Sequence, residues 1–175
     1  VDMSCELSDL RREVKLLQQC DHPHLLPLLG HCFAKESPCL VFPLMRGGSL
    51  QCRLQPAAED ASHLLTLGHF TAAPKPLTWR QRLRAVLQAT QALVYLHTAT
   101  PGKPSIVHRD FKAANILLDE QLNAYLSDTG FAKAAQQVGG GATMTTHAGL
   151  CYTPGYADPI LVNGGEVTRR VTRPI

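Results

Sequence analysis

The stretch at 108–115 reads H-R-D-F-K-A-A-N, and the tripeptide D-T-G begins at Asp128, 13 residues after Asn115. Together they supply a carboxylate (Asp110), an amine (Lys112) and, in Asn115 and Asp128, two oxygen donors of the kind that Mg²⁺ prefers. A carboxylate can orient a hydroxyl group and accept its proton, while magnesium and an amine balance phosphate charge. These residue types therefore suit the transfer of a phosphoryl group from magnesium-bound ATP to a hydroxyl group.

The spacing of apolar residues predicts two helices that could position this set. Residues 6–20 repeat leucine and valine at intervals of three and four, which is typical of an amphipathic helix. A second, longer helix is predicted to start at Thr78, because T-W-R-Q is a capping box, and to end before P-G at 101–102. Ser49 is expected to cap a short helix between them. The apolar stripe predicted for the long helix consists of Leu83, Val86, Leu87, Thr90, Val94 and His97.

Short apolar runs predict the strands. The runs at 25–29 and 39–44, which are separated by a polar turn, favour an antiparallel pair of strands. Two further strands are predicted at 116–118 and 124–127, directly after the first chemical motif and before the second. The segment 129–153 is rich in Gly, Ala and Thr and predicts a flexible loop.

Composition places the chain among ordinary soluble globular proteins, with 45% hydrophobic and 18% charged residues. A net charge of +3 without a Lys/Arg cluster argues against nucleic acid as a partner. No run of 18 apolar residues occurs, so no membrane contact is expected within this span. The six cysteines form no C-x-x-C pair and favour a reducing, cytoplasmic location. Cys20, His22 and His24 lie close together, but zinc is the weaker interpretation without a second ligand pair.

The predicted order of helix, strand pair, capped helix, H-R-D loop and D-x-G loop resembles the middle of a protein kinase. Other stretches are similar to the receptor-like kinases of plants, to Pelle and to the interleukin-receptor-associated kinases. These stretches are C-D-H-P-H-L at 20–25, L-L-G-H-C at 28–32, G-S-L at 48–50, L-T-W at 77–79, Y-L-H at 95–97 and N-I-L-L-D at 115–119. The resemblance covers nearly the whole chain apart from a central insertion and a few terminal residues.

The resemblance implies an α+β fold, the two-lobed protein-kinase fold, of which this chain would be a part. Residues 1–45 would be the remnant of the N-lobe, from its regulatory helix to the hinge, and 46–175 a portion of the helical C-lobe. An insertion is expected at about 55–76 and the activation loop at about 128–159. Because the chain begins at Val1 rather than at Met, we expect a fragment, which leaves room for a membrane anchor upstream.

The resemblance also implies catalytic roles for four residues in a serine/threonine protein kinase. Asp110 would orient the hydroxyl group of a protein substrate and accept its proton. Lys112 would balance charge on the γ-phosphate of ATP, and lysine at this position follows the serine/threonine-kinase pattern. Asn115 and Asp128 would hold Mg²⁺ against the phosphates.

A second group of residues would bind the nucleotide if the resemblance holds. Glu13 would be the helix carboxylate that pairs with an ATP-anchoring lysine, and Phe42 the gatekeeper residue behind the adenine. The C=O of Pro43 and the N–H of Met45 would hydrogen-bond the adenine in the hinge, since proline lacks only a donor that is not needed there. Leu117 would form the floor under the ring.

The substrate side and the activation loop complete the implied site. Thr153 resembles the threonine that hydrogen-bonds near the catalytic aspartate and contacts the substrate. Thr143, Thr145 and Thr146 are candidate phosphorylation sites in the activation loop. Arg109 would then be a natural partner for the new negative charge.

The pattern also departs from the family in ways that favour an alternative function. No glycine-rich loop and no lysine-bearing strand precede Glu13. Thr129 replaces the aromatic residue of D-F-G, and Ile160 replaces the glutamate of A-P-E. A pseudokinase or a truncated scaffold that keeps the fold for partner binding is therefore the rival interpretation. The four intact catalytic residues argue for the enzyme instead, although this span alone is expected to be inactive or only weakly active.

Overall fold

The computed structural model describes residues 3–34, 36–54, 76–130, 132–134, 136–138, 141–144, 153, 156 and 167–168. Its α-helices are α1 (Met3–Leu17), α2 (Leu50–Leu54) and α3 (Trp79–His97). Its strands are β1 (Gly30–Cys32), β2 (Cys39–Val41), β3 (Gly48–Ser49), β4 (Ile106–Val107), β5 (Ile116–Leu118), β6 (Ala124–Leu126), β7 (Lys133–Ala134), β8 (Gln136–Val138), β9 (Gly141–Met144) and β10 (Val167–Thr168). Helices and short antiparallel strands are thus mixed along the chain.

The first helix has the amphipathic character that its sequence predicts. Val14 and Leu17 are buried, while Lys15 between them is exposed. The helix ends at Leu17, three residues earlier than expected, and Cys20 closes a turn by donating its N–H to the carbonyl of Leu17. Glu13 lies one residue before Val14, so it is close to the buried side of the helix but remains partly exposed.

The first strand of the predicted pair lies further along the chain than expected. Strand β1 begins at Gly30 and pairs with β2 in antiparallel register, whereas Leu25 and Leu26 are buried outside this pair. Leu26 instead donates its N–H to the carbonyl of Leu126. Pro27 follows and has no N–H to donate to a ladder. Within the apolar run at 25–29, Leu25 and Leu26 are therefore buried against β6, whereas Leu29 is exposed and donates its N–H to the carbonyl of Val41 next to the strand pair.

The long helix α3 starts where the capping box predicts. The hydroxyl group of Thr78 accepts from the N–H of Gln81 at 3.3 Å, and the Gln81 side chain accepts from the N–H of Thr78 at 2.8 Å. The helix ends at His97, and Thr98 is its C-cap.

The face of α3 that packs against the protein is not the stripe of large apolar residues. Its buried residues are Ala85, Gln88, Ala89, Ala92, Leu93 and Leu96. By contrast, Leu83, Val86, Leu87 and Val94 are exposed. Helix α3 lies against strand β6, and alanine lets the backbones approach closely. Apolar residues occur around most of the helix, so spacing could not identify the packed face.

The central sheet has the order β3-β5-β6, and it carries the two chemical motifs at its ends. Strand β5 pairs with β6 in antiparallel register, with Leu117 opposite Tyr125. Two buried clusters support the sheet from α3, one around Leu96 and Leu126 and one around Ala89 and Leu118. The predicted strands at 116–118 and 124–127 are confirmed. The loop at 108–115, which we call the catalytic-type loop, precedes β5, and the acidic turn at 128–130 follows β6. Because β5 and β6 are antiparallel, both segments lie at the same end of the sheet.

The segment after β6 contains strands where the sequence predicts a flexible loop. Strand β7 pairs with β4, and β8 pairs with β9, which in turn pairs with β10. The prediction of a loop at 129–153 is thus wrong for the described residues within these strands, because backbone pairing offset the poor strand propensity of Gly and Ala. The insertion expected at about 55–76 lies outside the described residues, apart from Pro76. Within the described part of the chain, no helix combines the length and the apolar composition that crossing a bilayer requires.

Candidate active site

The carboxylate of Asp110 is the centre of a compact polar cluster. Lys112 Nζ lies 2.7 Å from Asp110 Oδ2, and Asn115 Nδ2 donates to the same oxygen at 2.8 Å. Thr153 Oγ1 donates to Asp110 Oδ1 at 2.6 Å and accepts from Lys112 Nζ at 2.8 Å. Asp110 is only 4% exposed. The carboxylate is therefore held in one orientation by three side chains from two separate parts of the chain.

These contacts keep Asp110 ionised. Burial by itself would raise the pKa of the carboxyl group. The hydrogen bonds from Lys112, Thr153 and Asn115, together with the lysine charge, outweigh burial and hold the pKa of Asp110 below its ordinary value of 3.8. The group is consequently a carboxylate at neutral pH, able to accept a hydrogen bond from a hydroxyl group.

His108 is fully buried and links the loop that carries Asp110 to Ser127. Its Nδ1 accepts from the N–H of Asp110 at 3.3 Å, so its Nε2 carries the proton that is donated to the carbonyl of Ser127 at 3.0 Å. Burial lowers the pKa of His108, while the Ser127 carbonyl and the charges of Asp128 and Asp110 oppose this effect. A neutral imidazole thus joins the catalytic-type loop to the residue directly before Asp128.

Two residues of the site have left-handed backbone conformations that side chains other than glycine adopt rarely. Arg109 has φ 72° and Asp128 has φ 61°. Such a conformation costs about 1–2 kcal/mol and persists only when the neighbouring structure holds it. Around Asp128, the N–H of Ser127 donates to the carbonyl of Asn115, and the N–H of Ala132 donates to the carbonyl of Thr129. Backbone hydrogen bonds thus hold the residues on both sides of Asp128 in the chain.

A cavity of about 600 Å³ lies beside this turn. Asp128 lines it together with the five residues that were expected to bind a nucleotide. Its lining residues are Glu13, Leu26, Leu40, Phe42, Pro43, Leu44, Met45, Gly48, Ser49, Leu117, Ser127 and Asp128. Most of the lining residues are apolar, and Glu13 and Asp128 contribute carboxylates. Asp110 and Asn115 do not line this cavity.

Glu13 and Thr129 meet on the α1 side of the cavity. Thr129 Oγ1 donates to Glu13 Oε1 at 3.1 Å, although the residues are 116 positions apart. Burial raises the pKa of Glu13, as does the charge of Asp128, while the Thr129 hydroxyl group and Arg12 lower it. We call this pair the Glu13–Thr129 contact.

The donor atoms present fit a magnesium–nucleotide complex. The nitrogen of the Asn115 amide donates to both the backbone and the side chain of Asp110, so the amide oxygen is the atom that could bind a cation. Asp128 is exposed and can supply a carboxylate oxygen. Among the described residues, no three His, Cys, Asp or Glu side chains gather as a metal site would require. Mg²⁺ needs no such group, because it commonly takes one or two protein ligands and completes its shell with phosphate oxygens and water.

Only part of the predicted activation loop lies among the described residues. Thr143 lies in β9, opposite Gln136 on one side and Thr168 on the other. Thr145, Thr146 and Ile160 lie outside the described residues.

Sequence reasoning did not identify every residue of the site. Ser127, Leu26 and Leu40 line the cavity without having been predicted to do so. Ser127 also donates from Oγ to the carbonyl of Asn115 at 3.0 Å. Its position directly before the acidic turn was the one available signal. The partnership of Thr129 with Glu13 had no signal in the sequence, because nothing in the spacing of two distant residues reveals it.

Comparison with known proteins identifies the family of the chain. The family model described as protein tyrosine and serine/threonine kinase matches residues 2–152. The chain is 37% identical over 156 residues to the "Probable serine/threonine-protein kinase PBL11" of Arabidopsis thaliana, covering 89% of this chain and 35% of that protein. It is 38% identical over 158 residues to PBL3 of the same plant, covering 90% of this chain and 32% of that protein.

A rice protein extends the comparison beyond Arabidopsis. The "Salt tolerance receptor-like cytoplasmic kinase 1" of Oryza sativa subsp. japonica is 34% identical over 160 residues, which cover 91% of this chain and 41% of that protein. The chain thus spans about a third of the length of the curated relatives it matches, and the predicted resemblance to plant receptor-like kinases is confirmed. The chain belongs to the protein tyrosine and serine/threonine kinase family.

Proposed function

We propose that this chain carries the catalytic centre of a serine/threonine protein kinase, which transfers the γ-phosphate of ATP to a protein hydroxyl group with the help of Mg²⁺. The observation that carries the proposal is the set of three side chains, Lys112, Asn115 and Thr153, fixed on the Asp110 carboxylate at 2.6–2.8 Å. Protein kinases generally use ATP and Mg²⁺. Both Arabidopsis relatives are named "Probable serine/threonine-protein kinase".

In this proposal Asp110 accepts the hydrogen bond of the substrate hydroxyl group and then its proton. Its low pKa makes it a weak base, which suits a reaction that depends mainly on positioning. Lys112 lies between Asp110 and Thr153, so its charge can face both the carboxylate and an incoming phosphate. Thr153 orients Asp110 and borders the position of the substrate side chain.

The nucleotide would occupy the cavity beside the acidic turn. Phe42, Pro43, Met45 and Leu117 provide the apolar walls and backbone groups that an adenine ring needs. Asn115 and Asp128 would hold Mg²⁺, which when bound neutralises the phosphate charge that develops during transfer. Glu13 lines the same cavity and would face an ATP-anchoring lysine.

The finer assignments follow from the same proposal. Residues 1–45 would form the N-lobe part with the hinge, and 46–175 part of the C-lobe with the insertion at about 55–76 and the activation loop at about 128–159. Protein is the proposed substrate. The cytoplasm is the proposed location, because the rice relative is named a receptor-like cytoplasmic kinase. Arg109 would bind a phosphate on Thr143, Thr145 or Thr146.

The proposal is tested with the full-length protein that contains these residues. The assay measures Mg²⁺-dependent transfer of labelled phosphate from ATP to a generic serine/threonine protein substrate. We expect transfer by the unaltered protein and a loss of roughly 10²- to 10⁴-fold in the Asp110→Asn variant. Asp119→Asn is the matched control, because Asp119 faces Asn123 at a turn away from the cluster. Equal activity in Asp110→Asn and the unaltered protein would rule out the proposed chemistry.

A second candidate function is a pseudokinase or scaffold, and Thr129 is the observation that favours it. A polar, hydrogen-bonded threonine occupies the position of the aromatic D-F-G residue and engages Glu13. Binding of ATP discriminates the two candidates. A thermal shift with ATP that requires Mg²⁺ supports the enzyme, whereas no shift together with retained folding supports the scaffold.

A further inference from the structure

Thr129 connects two parts of the molecule that are otherwise distant in sequence. It is 5% exposed and lies in the turn after Asp128, and its hydroxyl group donates to Glu13 on α1. Its carbonyl accepts from the N–H of Ala132 at 2.8 Å. The backbone of Thr129 is therefore fixed within its own turn, so its side chain can hold α1 relative to that turn.

The carboxylates of Glu13 and Asp128 both lie near the Glu13–Thr129 contact. A methyl group added at Gly130 would lie 3.5 Å from Asp128 Oδ1 and 3.6 Å from Glu13 Oε2, so the two acidic groups flank this glycine. Burial raises the pKa of Glu13, and the charge of Asp128 raises it further. The hydroxyl group of Thr129 acts in the opposite direction, because its hydrogen bond to the Glu13 carboxyl group lowers that pKa.

We infer that Thr129 is a positioning residue, whose hydroxyl group fixes α1 and the Glu13 carboxylate against the turn that presents Asp128. An aromatic ring at this place could hold the helix only through apolar packing. The threonine holds it through a directional bond, which requires an acceptor at position 13. The link to nucleotide binding rests on the proposed function, whereas the contact itself does not.

A double-mutant cycle in the full chain tests the contact without any ligand. Thr129→Val keeps the shape and removes the hydroxyl group, and Glu13→Leu removes the acceptor. We expect the two single changes to be non-additive in urea unfolding, with a coupling of roughly tenfold in the unfolding equilibrium constant, as for a hydrogen bond to a charged group. Glu36→Leu is the matched control, because Glu36 is exposed in the turn before β2, and its effect should add to that of Thr129→Val. Additive effects of Thr129→Val and Glu13→Leu would overturn the inference.

Local hydrogen exchange separates positioning from a general effect on stability. We expect Thr129→Val to speed amide exchange in the last turns of α1 by about tenfold while leaving α3 unchanged, because local opening follows the loss of local contacts. Thr129→Ser keeps the hydroxyl group and should restore slow exchange. Equal exchange in all three proteins, or equal acceleration in α1 and α3, would overturn the positioning role.

Titration with ATP in the presence and absence of Mg²⁺ then separates this inference from the proposed function. We expect Thr129→Val to weaken Mg²⁺-dependent ATP binding several-fold and Thr129→Ser to restore it. If the unaltered chain binds no ATP, the proposed function fails, while the cycle and the exchange data still decide the contact. If ATP binds equally well to Thr129→Val and the unaltered chain, the contact does not position Asp128 and the inference fails.

Discussion

The catalytic-type loop and the α1 side of the cavity are held by different kinds of contact. The Asp110 carboxylate is almost fully buried, and its oxygens lie 2.6–2.8 Å from the donor atoms of Lys112, Asn115 and Thr153. On the α1 side, the Glu13 carboxyl group accepts a hydrogen bond from the hydroxyl group of Thr129 at 3.1 Å and stays partly exposed. The loop carries redundant contacts, so losing one should leave its shape intact. The α1 side depends on a directional bond whose loss should alter its position, and the predictions below test this difference.

The largest effect is expected at Lys112. Lys112→Met removes the charge between Asp110 and Thr153, and we expect roughly 10²- to 10³-fold slower phosphoryl transfer, the loss typical of one electrostatic contact in an active site. Asn115 and Thr153 should keep the loop folded, although the free energy of unfolding should fall because the buried Asp110 loses its charged partner. Lys15→Met is the matched control, since Lys15 is exposed on α1. A variant that is unfolded at neutral pH would contradict the redundancy of the loop.

A smaller effect is expected at Thr153, whose hydroxyl group both donates to Asp110 and accepts from Lys112. Thr153→Val should lower the free energy of unfolding by about 1–2 kcal/mol, because hydrogen bonds to charged groups exceed the neutral average. Thr153→Ser should behave like the unaltered chain. Chemical denaturation measures both variants. No difference between Val and Ser would show that the hydroxyl group does not tie residue 153 to the loop.

Acid should weaken the loop through His108. Burial holds the pKa of this imidazole below 6.5, so between the lowered value and 6.5 the unfolded chain binds a proton that the folded chain does not. The free energy of unfolding therefore falls as the pH drops below about 6.5, by at most about 1.4 kcal/mol per pH unit for one group. Urea midpoints between pH 7.5 and 5 should show a shallower decline in His108→Gln. Parallel profiles would assign the acid sensitivity to other groups.

The smallest effect is expected at the start of α3, which packs against the central sheet and which we expect to support both regions equally. Thr78→Ala removes the N-cap and should lower the free energy of unfolding by about 1 kcal/mol. Hydrogen exchange in α1 and in the catalytic-type loop should respond alike. Thr100→Ala, at an exposed turn after the helix, is the control and should change little. A change confined to one region would mean that α3 does not support the two equally.

Local signals in the sequence were sufficient for much of the fold. The capping box at Thr78 located the start of α3, and short apolar runs located β5 and β6. The same approach misplaced the first strand of the antiparallel pair, because the buried residue Leu26 and the start of backbone pairing at Gly30 are four positions apart. It also could not tell which face of α3 packs, since a close approach to the sheet selects small alanines over large leucines.

The sequence by itself determined which chemical groups the protein possesses, because H-R-D-x-x-x-x-N and D-x-G carry their residue types at fixed short intervals. The tertiary structure decided how those groups meet. Only the folded chain brings Thr153 onto Asp110 across 43 positions and Thr129 onto Glu13 across 116. The physical reason is that a hydrogen bond depends on distance and direction in space, and packing of α1, α3 and the central sheet sets both.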